Sequence, residues 1–260
     1  MEQRSIQSIE IGAQLLRALV DRGVPCSLGQ LARDAGMSSA RAHPYMVSFC
    51  KVGLTQQDPL TSRYELGPFA LQMGLISFQL LDPVRIAVPE ISTLSAALEL
   101  TVALAVMGTH GPTVVYIQEA HYPVHMNMRK GAVMSLFNTA TGRLFSAHLP
   151  GPEVERLMAR ERQDDGFVAG AFGERPDPAT LTALLEEVRQ QGLGRTIDTP
   201  TAGIHAMSAP VFDHTGTLVL AVTVIGPKGL FDPDWDGAVA TPLRACAARI
   251  SARLGHAPRR

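Results

Sequence analysis

The sequence predicts an α+β protein in which an N-terminal winged helix-turn-helix is joined by a linker helix to a larger α+β domain. Two short helices joined by a tight turn are predicted within residues 27–49. Two short strand-like runs around Asp58-Pro59 follow them, and helix, helix-turn-helix and hairpin is the order of a winged helix. Beyond Thr101, strand hairpins alternate with amphipathic helices, which is typical of an α+β domain.

The first helix is predicted to begin at Ser5 and to end at Gly23 and Pro25. Apolar residues recur along it at three- and four-residue steps, which predicts a buried face. These residues are Ile6, Ile9, Ala13, Leu16, Leu19 and Val20.

Capping signals define the two short helices. Ser27 with Gln30 forms a capping-box pattern, and Gly36 stands where the chain needs a left-handed residue. Ser38 or Ser39 caps the second helix. The predicted buried residues of the pair are Leu28, Leu31, Ala32, Ala35, Met37, Met46 and Phe49.

Pro44 falls within the second helix, where it removes one backbone donor and its ring clashes with the Ala40 carbonyl. In a helix interior this costs about 3 kcal/mol. The cost falls if the helix effectively begins near Ala40, because first-turn N–H groups have no intrahelical partner. The pattern therefore predicts a short or kinked helix.

After the hairpin, Gly67-Pro68 opens an apolar helix that reaches Leu80 and that we expect to pack against a partner subunit or another domain. Asp82-Pro83 ends it. The remaining predicted helices cover about 85–99, 152–160, 178–191 and 234–254, and a further helix is predicted to begin near Thr141. The predicted hairpin strands cover 101–107, 113–120, 204–212 and 218–225. Val124–Met128 is predicted to be extended, and residues 164–178 a loop.

The composition restricts the possible function. Hydrophobic residues make up 46% of the chain and charged residues 18%, so it has ample material for a core. The net charge is -1, and residues 1–82 carry seven basic and seven acidic residues, so any nucleic-acid surface must be local. Three cysteines without metal-ligand spacing, and no apolar leader or membrane span, predict a cytoplasmic protein with reduced thiols.

Motifs along nearly the whole chain together resemble the IclR family of bacterial transcriptional regulators. The N-terminal motifs are LGQLARDAGMS, VSF followed by GL, and RYELGPFALQMG, and the C-terminal motifs are FNTATGRLFSAHLP, GIHAMSAPVFD and AVTVIGP. The resemblance implies a winged helix-turn-helix over 1–67, a linker helix over 68–83 and a GAF-like effector-binding domain over 84–256. It also implies a homodimer or homotetramer on operator DNA.

The chain departs from the family pattern at four places. Family members usually carry Arg where this chain has Pro44, and Ser-Thr where it has Ala40-Arg41. They usually carry Gly-Lys where it has Gly142-Arg143, and an acidic residue where it has Thr199, with Asp198 beside it.

For the DNA-binding site, the second short helix is predicted to enter the major groove, where Arg41 can bond a guanine edge and serines can bond phosphate. A plain solvated helix face is the alternative interpretation. The predicted DNA-binding residues are Ser27, Ser38, Ser39, Arg41, His43, Tyr45 and, in the wing, Arg63.

For the effector site, the resemblance implies an apolar cavity with a few hydroxyl and backbone donors. The N-terminus of the helix near Thr141 favours a carboxylate, so a small organic or aromatic acid is the expected ligand. Methionines would add adaptable walls. The predicted residues are Met126, Met128, Thr139, Ala140, Thr141, Asp198, Ile204, Ala206, Thr223 and Ile225, with Met134 as a further wall; core packing is the alternative.

Other chemistry has weaker support. His121 and His125 are four residues apart on extended or turn structure, where they would not converge on a metal. Asp232, Asp234 and Asp236 are predicted to cap the final helix. No nucleophile or phosphate-cradle pattern is present, so neither a cofactor nor an enzymatic activity is predicted.

The sequence thus predicts a ligand-responsive, DNA-binding transcriptional regulator without a membrane partner. One alternative is a sensor or enzyme with a weakened, non-functional helix-turn-helix. Another is an adaptor that binds proteins through the apolar helix 66–80.

Overall fold

A computed structural model describes residues 5–120, 128–161 and 177–257. The chain divides into two compact units, Met1–Leu81 and Asp82–Arg260. This division lies within the segment 68–83, for which the sequence predicts the linker. Within the described residues, none of the helices combines the length and the apolar run that crossing a membrane requires.

The first unit has the element order of a winged helix. Three helices precede a two-stranded antiparallel hairpin, and a fourth helix follows it. A bridge between Cys26 and Tyr64 ties the loop before the second helix to the hairpin. The elements are α1 (Gln7–Arg22), α2 (Leu28–Asp34), α3 (Ser39–Lys51), β1 (Thr55–Gln57), β2 (Tyr64–Leu66) and α4 (Pro68–Gln79).

The predicted caps of the helix-turn-helix are confirmed. Ser27 and Gln30 form a capping box at the start of α2, and Gly36 has φ 67° after its end. Ser38 caps α3 by accepting a hydrogen bond from the Arg41 N–H at 3.3 Å. Leu31, Ala32, Ala42, Met46 and Tyr64 are among the buried residues that hold the unit together.

The predicted buried face of α1 is wrong in part. The helix begins at Gln7 rather than Ser5, and Ile6, Ile9 and Val20 are 63%, 66% and 59% exposed. The buried side instead runs through Gly12, Leu15, Ala18 and Leu19. Its position is set by α3, because a Cβ on Gly12 would lie 2.8 Å from the Phe49 ring and 3.3 Å from the Tyr45 ring.

Of the two alternatives predicted for the second helix, the short one is wrong, because α3 is 13 residues long and contains Pro44, whereas the kink stays a prediction. Ala40 and Pro44 lie on the exposed side, where water can take the place of the N–H that Pro44 lacks. The Ser48 hydroxyl donates to the Pro44 carbonyl oxygen at 2.9 Å. The cost of the proline is therefore compatible with a complete helix.

The second unit is an α+β domain, as predicted. Its five-stranded antiparallel sheet has the strand order β4-β3-β7-β6-β5. The elements are α5 (Pro83–Leu98), β3 (Thr101–Gly108), β4 (Gly111–Gln118), α6 (Ala140–His148), α7 (Gly151–Glu161), α8 (Pro178–Gln191), β5 (Gly194–Ile197), β6 (Ile204–Phe212), β7 (Leu218–Pro227) and α9 (Ala240–Arg253).

Helices cover both faces of this sheet. Leu144 and Phe145 of α6, with Val188 of α8, pack on the face that carries Ala105 and Ala221. Leu220, Val222 and Val224 of β7 point to the opposite face and are also buried. Helix α5 contacts β3 and β7, and helix α9 contacts β6 and β7. The core of the unit therefore lies on both sides of β3, β7 and β6.

The sequence does not predict one strand of this unit, and it places the start of the final helix too early. The edge strand β5 is not predicted by the sequence, since four residues beginning with Gly194 are too short for a periodic signal. The final helix begins at Ala240, not near Asp234, and its first turn has no side-chain cap. Asp232 instead accepts hydrogen bonds from the N–H groups of Asp234 and Ala238, at 3.1 and 2.7 Å, so it stabilises the preceding turn.

We expect Gly142→Ala to destabilise the second unit, because the added Cβ would overlap the Ser135 carbonyl oxygen and lie 2.6 Å from the Leu136 Cα. Overpacking of this kind costs about 1–3 kcal/mol. Calorimetric unfolding measures the effect. Gly151→Ala is the control, because nothing lies within 4 Å of its Cβ position. Equal unfolding temperatures for the two variants would contradict the predicted overlap.

Candidate functional site

The first candidate site is the exposed side of α3. Ser38, Ser39, Arg41 and His43 are all exposed there. Ser38 uses its side-chain oxygen to cap the helix, whereas Arg41 has no carboxylate within ion-pair distance among the described residues. Its guanidinium is therefore available to a phosphate or a base edge.

Two predicted DNA-binding residues lie elsewhere on the unit. Tyr45 is half-buried and packs against the core cluster, with its ring against Gly12 of α1. Ser27 is exposed at the start of α2, and its hydroxyl takes part in the capping box. Neither side chain shares the exposed side of α3 with Arg41.

The wing places Arg63 beside the loop before α2. Its Nη1 atom donates to the Pro25 carbonyl oxygen at 3.5 Å. At the tip, the Asp58 carboxylate accepts the N–H groups of Thr61 and Leu60 at 3.0 and 2.7 Å, and these bonds lower its pKa. Leu60 is 93% exposed, so the most prominent wing side chain is apolar.

Several basic side chains of this unit already have partners. Arg22 pairs with Asp34, whose carboxylate raises the pKa of the arginine. Arg33 donates to the Gly29 carbonyl oxygen at 3.3 Å. Only Arg22 is neutralised by a carboxylate among the described residues, so the positive charge of this unit is carried by Arg17, Arg33, Arg41, Lys51 and Arg63, all of them exposed.

The second candidate site lies on the face of the sheet next to the start of α6. Three buried hydroxyl groups form a chain there: Thr141 Oγ1 lies 2.8 Å from Thr223 Oγ1, which donates to Ser208 Oγ at 2.8 Å. Thr141 and Thr223 are both predicted site residues, and the fold brings them together. Ser208 is not a predicted site residue, although the alternation of Ile204, Ala206 and Ser208 on one strand places it on the same face.

A group of apolar residues lies on the same side of the sheet as this hydroxyl chain. They come from four strands and from the segment that precedes α6, and they share the face of the sheet that carries Thr223. Predicted residues Met128, Ile204, Ala206 and Ile225 all belong to the group. Its full membership is Ala103, Val114, Ile117, Met128, Met134, Ile204, Ala206 and Ile225.

The start of α6 completes this site. Thr139 is the N-cap, accepts the Gly142 N–H at 3.0 Å and donates to the Ser135 carbonyl oxygen at 2.7 Å. Ala140 and Thr141, the first two helical residues, are 1% and 4% exposed. The N–H groups of a first turn lack intrahelical partners and carry the positive end of the helix dipole, so an anion is favoured here.

Arg143 adds positive charge one turn later. Its Nε donates to the Phe137 carbonyl oxygen at 2.6 Å, and its Nη1 donates to the Arg195 carbonyl oxygen at 2.7 Å. Burial lowers the pKa of this guanidinium, although an arginine remains charged at neutral pH. Arg195 itself pairs with Glu187 at 3.2 Å and stacks 3.8 Å from the centre of the Trp235 ring.

Asp198 lies in the turn after β5 and has protein partners. It accepts the Gly203 N–H at 2.8 Å and the Lys228 ammonium at 3.3 Å, and these contacts lower its pKa, the first more than the second. The carboxylate is exposed. It is thus positioned as a structural anchor of the turn.

Some predicted residues cannot be placed. Met126, His121 and His125 lie outside the described residues. Among the residues that are described, no group of three or more His, Cys, Asp or Glu side chains is arranged to hold a metal ion. Cys26, Cys50 and Cys246 are free thiols, and burial raises the pKa of Cys246 to about 11.

Comparison with known proteins gives matches over both units. The model of the IclR helix-turn-helix domain matches residues 8–59, and the model of the bacterial transcriptional regulator IclR C-terminal domain matches residues 78–252. The crystal structure of Pseudomonas aeruginosa HmgR is similar with a TM-score of 0.87 and 33% identity, over 98% of this chain and all of that one.

Relatives of similar length carry the names of regulators. The glycerol operon regulatory protein of Streptomyces griseus is 28% identical, over 97% of this chain and 98% of its own length. The HTH-type transcriptional regulator KdgR of Escherichia coli is 23% identical, over 87% of this chain and 85% of its own length.

Proposed function

The chain belongs to the IclR family of ligand-responsive, DNA-binding transcriptional regulators, and we propose that it binds operator DNA through α3 and responds to a small organic or aromatic acid. The proposal of an acid as ligand rests on one observation, the start of α6. Its first-turn residues are buried, Arg143 follows them in the same helix, and the apolar group lies on the adjoining face of the sheet. We further propose that the protein acts in the cytoplasm, where operator DNA is accessible.

The acid proposal is supported by complementary parts of one site. First-turn N–H groups of α6 favour a carboxylate, and the Arg143 charge adds to this preference. The apolar group suits an aliphatic or aromatic body, and its two described methionines can adapt to ligand shape. The domain boundaries 1–67, 68–83 and 84–256 remain part of the proposal.

The DNA proposal is supported by the free guanidinium of Arg41 on the exposed side of α3. We expect Arg41→Ala to weaken binding about tenfold, since one good contact to a base contributes ~1–3 kcal/mol. Fluorescence anisotropy with DNA fragments adjoining the protein's own gene, at ~100 mM salt, measures this. Arg156→Ala is the matched control, because Arg156 is exposed on α7 and pairs only with Glu153 in the described structure.

Equal affinities for Arg41→Ala and wild type would contradict the proposed role of Arg41. Absence of specific binding to any fragment, together with turnover of a substrate, would favour the alternative of an enzyme with a non-functional helix-turn-helix.

The ligand class is tested by thermal shift with organic and aromatic acids and with their neutral amides. A ligand at 100 times its Kd adds about 2.7 kcal/mol to stability, so a binding acid raises the unfolding temperature while its amide does not. We expect Thr223→Val to reduce this shift, because it interrupts the chain from Thr141 to Ser208. Thr93→Val, on the exposed side of α5, is the control. An equal shift from acids and amides would contradict the proposal.

We propose a homodimer, or a tetramer built from such dimers, that is formed through α4. This helix has no charged residue, and large apolar patches are rare on a monomer surface. Five of its large apolar side chains are 43–65% exposed within the single chain, and Leu80, just after the helix, is 66% exposed. The exposed residues of the segment are Phe69, Leu71, Met73, Leu75, Ile76 and Leu80.

We expect Leu71→Glu combined with Leu75→Glu to dissociate the dimer, because each places a charge in an apolar interface. Analytical ultracentrifugation measures the mass. Leu230→Glu is the control, since Leu230 is 71% exposed in the second unit. A monomeric wild type at micromolar concentration would contradict both the dimer and the adaptor alternative.

A further inference from the structure

The centre of the exposed side of α3 is apolar. Ala40, Pro44 and Val47 follow one another at i, i+4 and i+7, so they share one side of the helix. Ala40 and Pro44 are exposed and Val47 is 38% exposed, whereas Ala42 and Met46 on the opposite side are fully buried. We call Ala40, Pro44 and Val47 the apolar stripe.

Polar side chains border the apolar stripe without interrupting it. At 100° per residue, Arg41 and Ser48 lie along one edge, and Ser39 and His43 lie along the other. Ser48 donates its hydroxyl to the Pro44 carbonyl oxygen within the helix. The middle of the surface therefore offers neither a hydrogen-bond donor nor an acceptor from a side chain.

The apolar stripe matches one feature of the major groove. Base pairs present hydrogen-bonding groups there, and the C5-methyl group of thymine is their one apolar group. A polar base edge opposite Pro44 would lose water without gaining a partner, which is unfavourable. A thymine methyl at the same place loses no hydrogen bond and buries apolar surface.

We propose that the apolar stripe contacts thymine methyl groups of the operator and thereby determines its sequence specificity. The inference rests on the proposed DNA binding through α3 and adds the class of base that the helix recognises. Arg41 supplies the polar contact at the edge of the same surface.

The test uses the fragment bound in the anisotropy experiment, synthesised with deoxyuridine in place of thymidine so that only methyl groups are lost. We expect about a fourfold loss of affinity for each contacted methyl, the effect of one buried methyl-sized group. Deoxyuridine is then placed at one position at a time. At the position opposite Val47, deoxyuridine lowers the DNA affinity of the wild type about fourfold. It does not lower the DNA affinity of the Val47→Ala variant, because that variant has already lost the contact.

Val20→Ala is the matched control, because Val20 is 59% exposed on α1, outside the apolar stripe, and this variant keeps the full loss at every position. Pro44→Ala provides a second variant, which retains the helix and removes the ring. Equal affinity for thymidine and deoxyuridine fragments overturns methyl recognition while DNA binding itself stands. Absence of specific binding to the thymidine fragment overturns both the proposed function and this inference.

Discussion

The close approach of α6 to its surroundings is the constraint on which the second unit depends. Side chains at Gly142 and Gly194 would overlap backbone atoms, at the Ser135 and Ala140 carbonyl oxygens respectively. Because both positions lack a side chain, the first turn of α6 lies close enough to the sheet for Thr141 to reach Thr223. The hydroxyl chain, the buried helix start and the apolar group therefore share one origin in backbone packing.

The first unit likewise depends on close packing at a glycine, Gly12. The missing side chain admits the rings of Tyr45 and Phe49, which fixes how α3 lies against α1. This packing determines the side of α3 that faces solvent. The orientation of Arg41 and of the apolar stripe is thus a consequence of core packing on the opposite side of the same helix.

Local signals allowed the sequence to predict most elements but not the orientation of every face. Capping residues such as Ser27 and Ser38 act within one turn, so their roles follow from the sequence alone. The buried side of α1 depends on a partner helix, and the sequence contains no local sign that Gly12 would be the contact. The strand β5 is stabilised by pairing with β6 rather than by its own pattern.

In the candidate sites, too, the sequence indicates individual residues but not which of them the fold brings together. Motif resemblance indicated Thr141 and Thr223, which are 82 positions apart, and only the antiparallel register brings Ser208 opposite Thr223. In the sequence, Arg143 differs from the family pattern only by replacing a lysine, yet its two carbonyl contacts place a charge near the start of α6. A guanidinium can make these two directional bonds together, whereas an ammonium is a point charge.

Pro44 also has an entropic consequence. An arginine at this position would lose ~2 kcal/mol of rotamer freedom when ordered against DNA, whereas a proline ring has almost none to lose. Nor does the ring displace counterions from phosphate, so its contribution does not weaken as salt concentration rises. Compared with a helix that carries arginine here, α3 would attract DNA less at long range but would lose less side-chain entropy on binding. Its preference for one DNA sequence over another would therefore persist at ionic strengths that suppress non-specific binding.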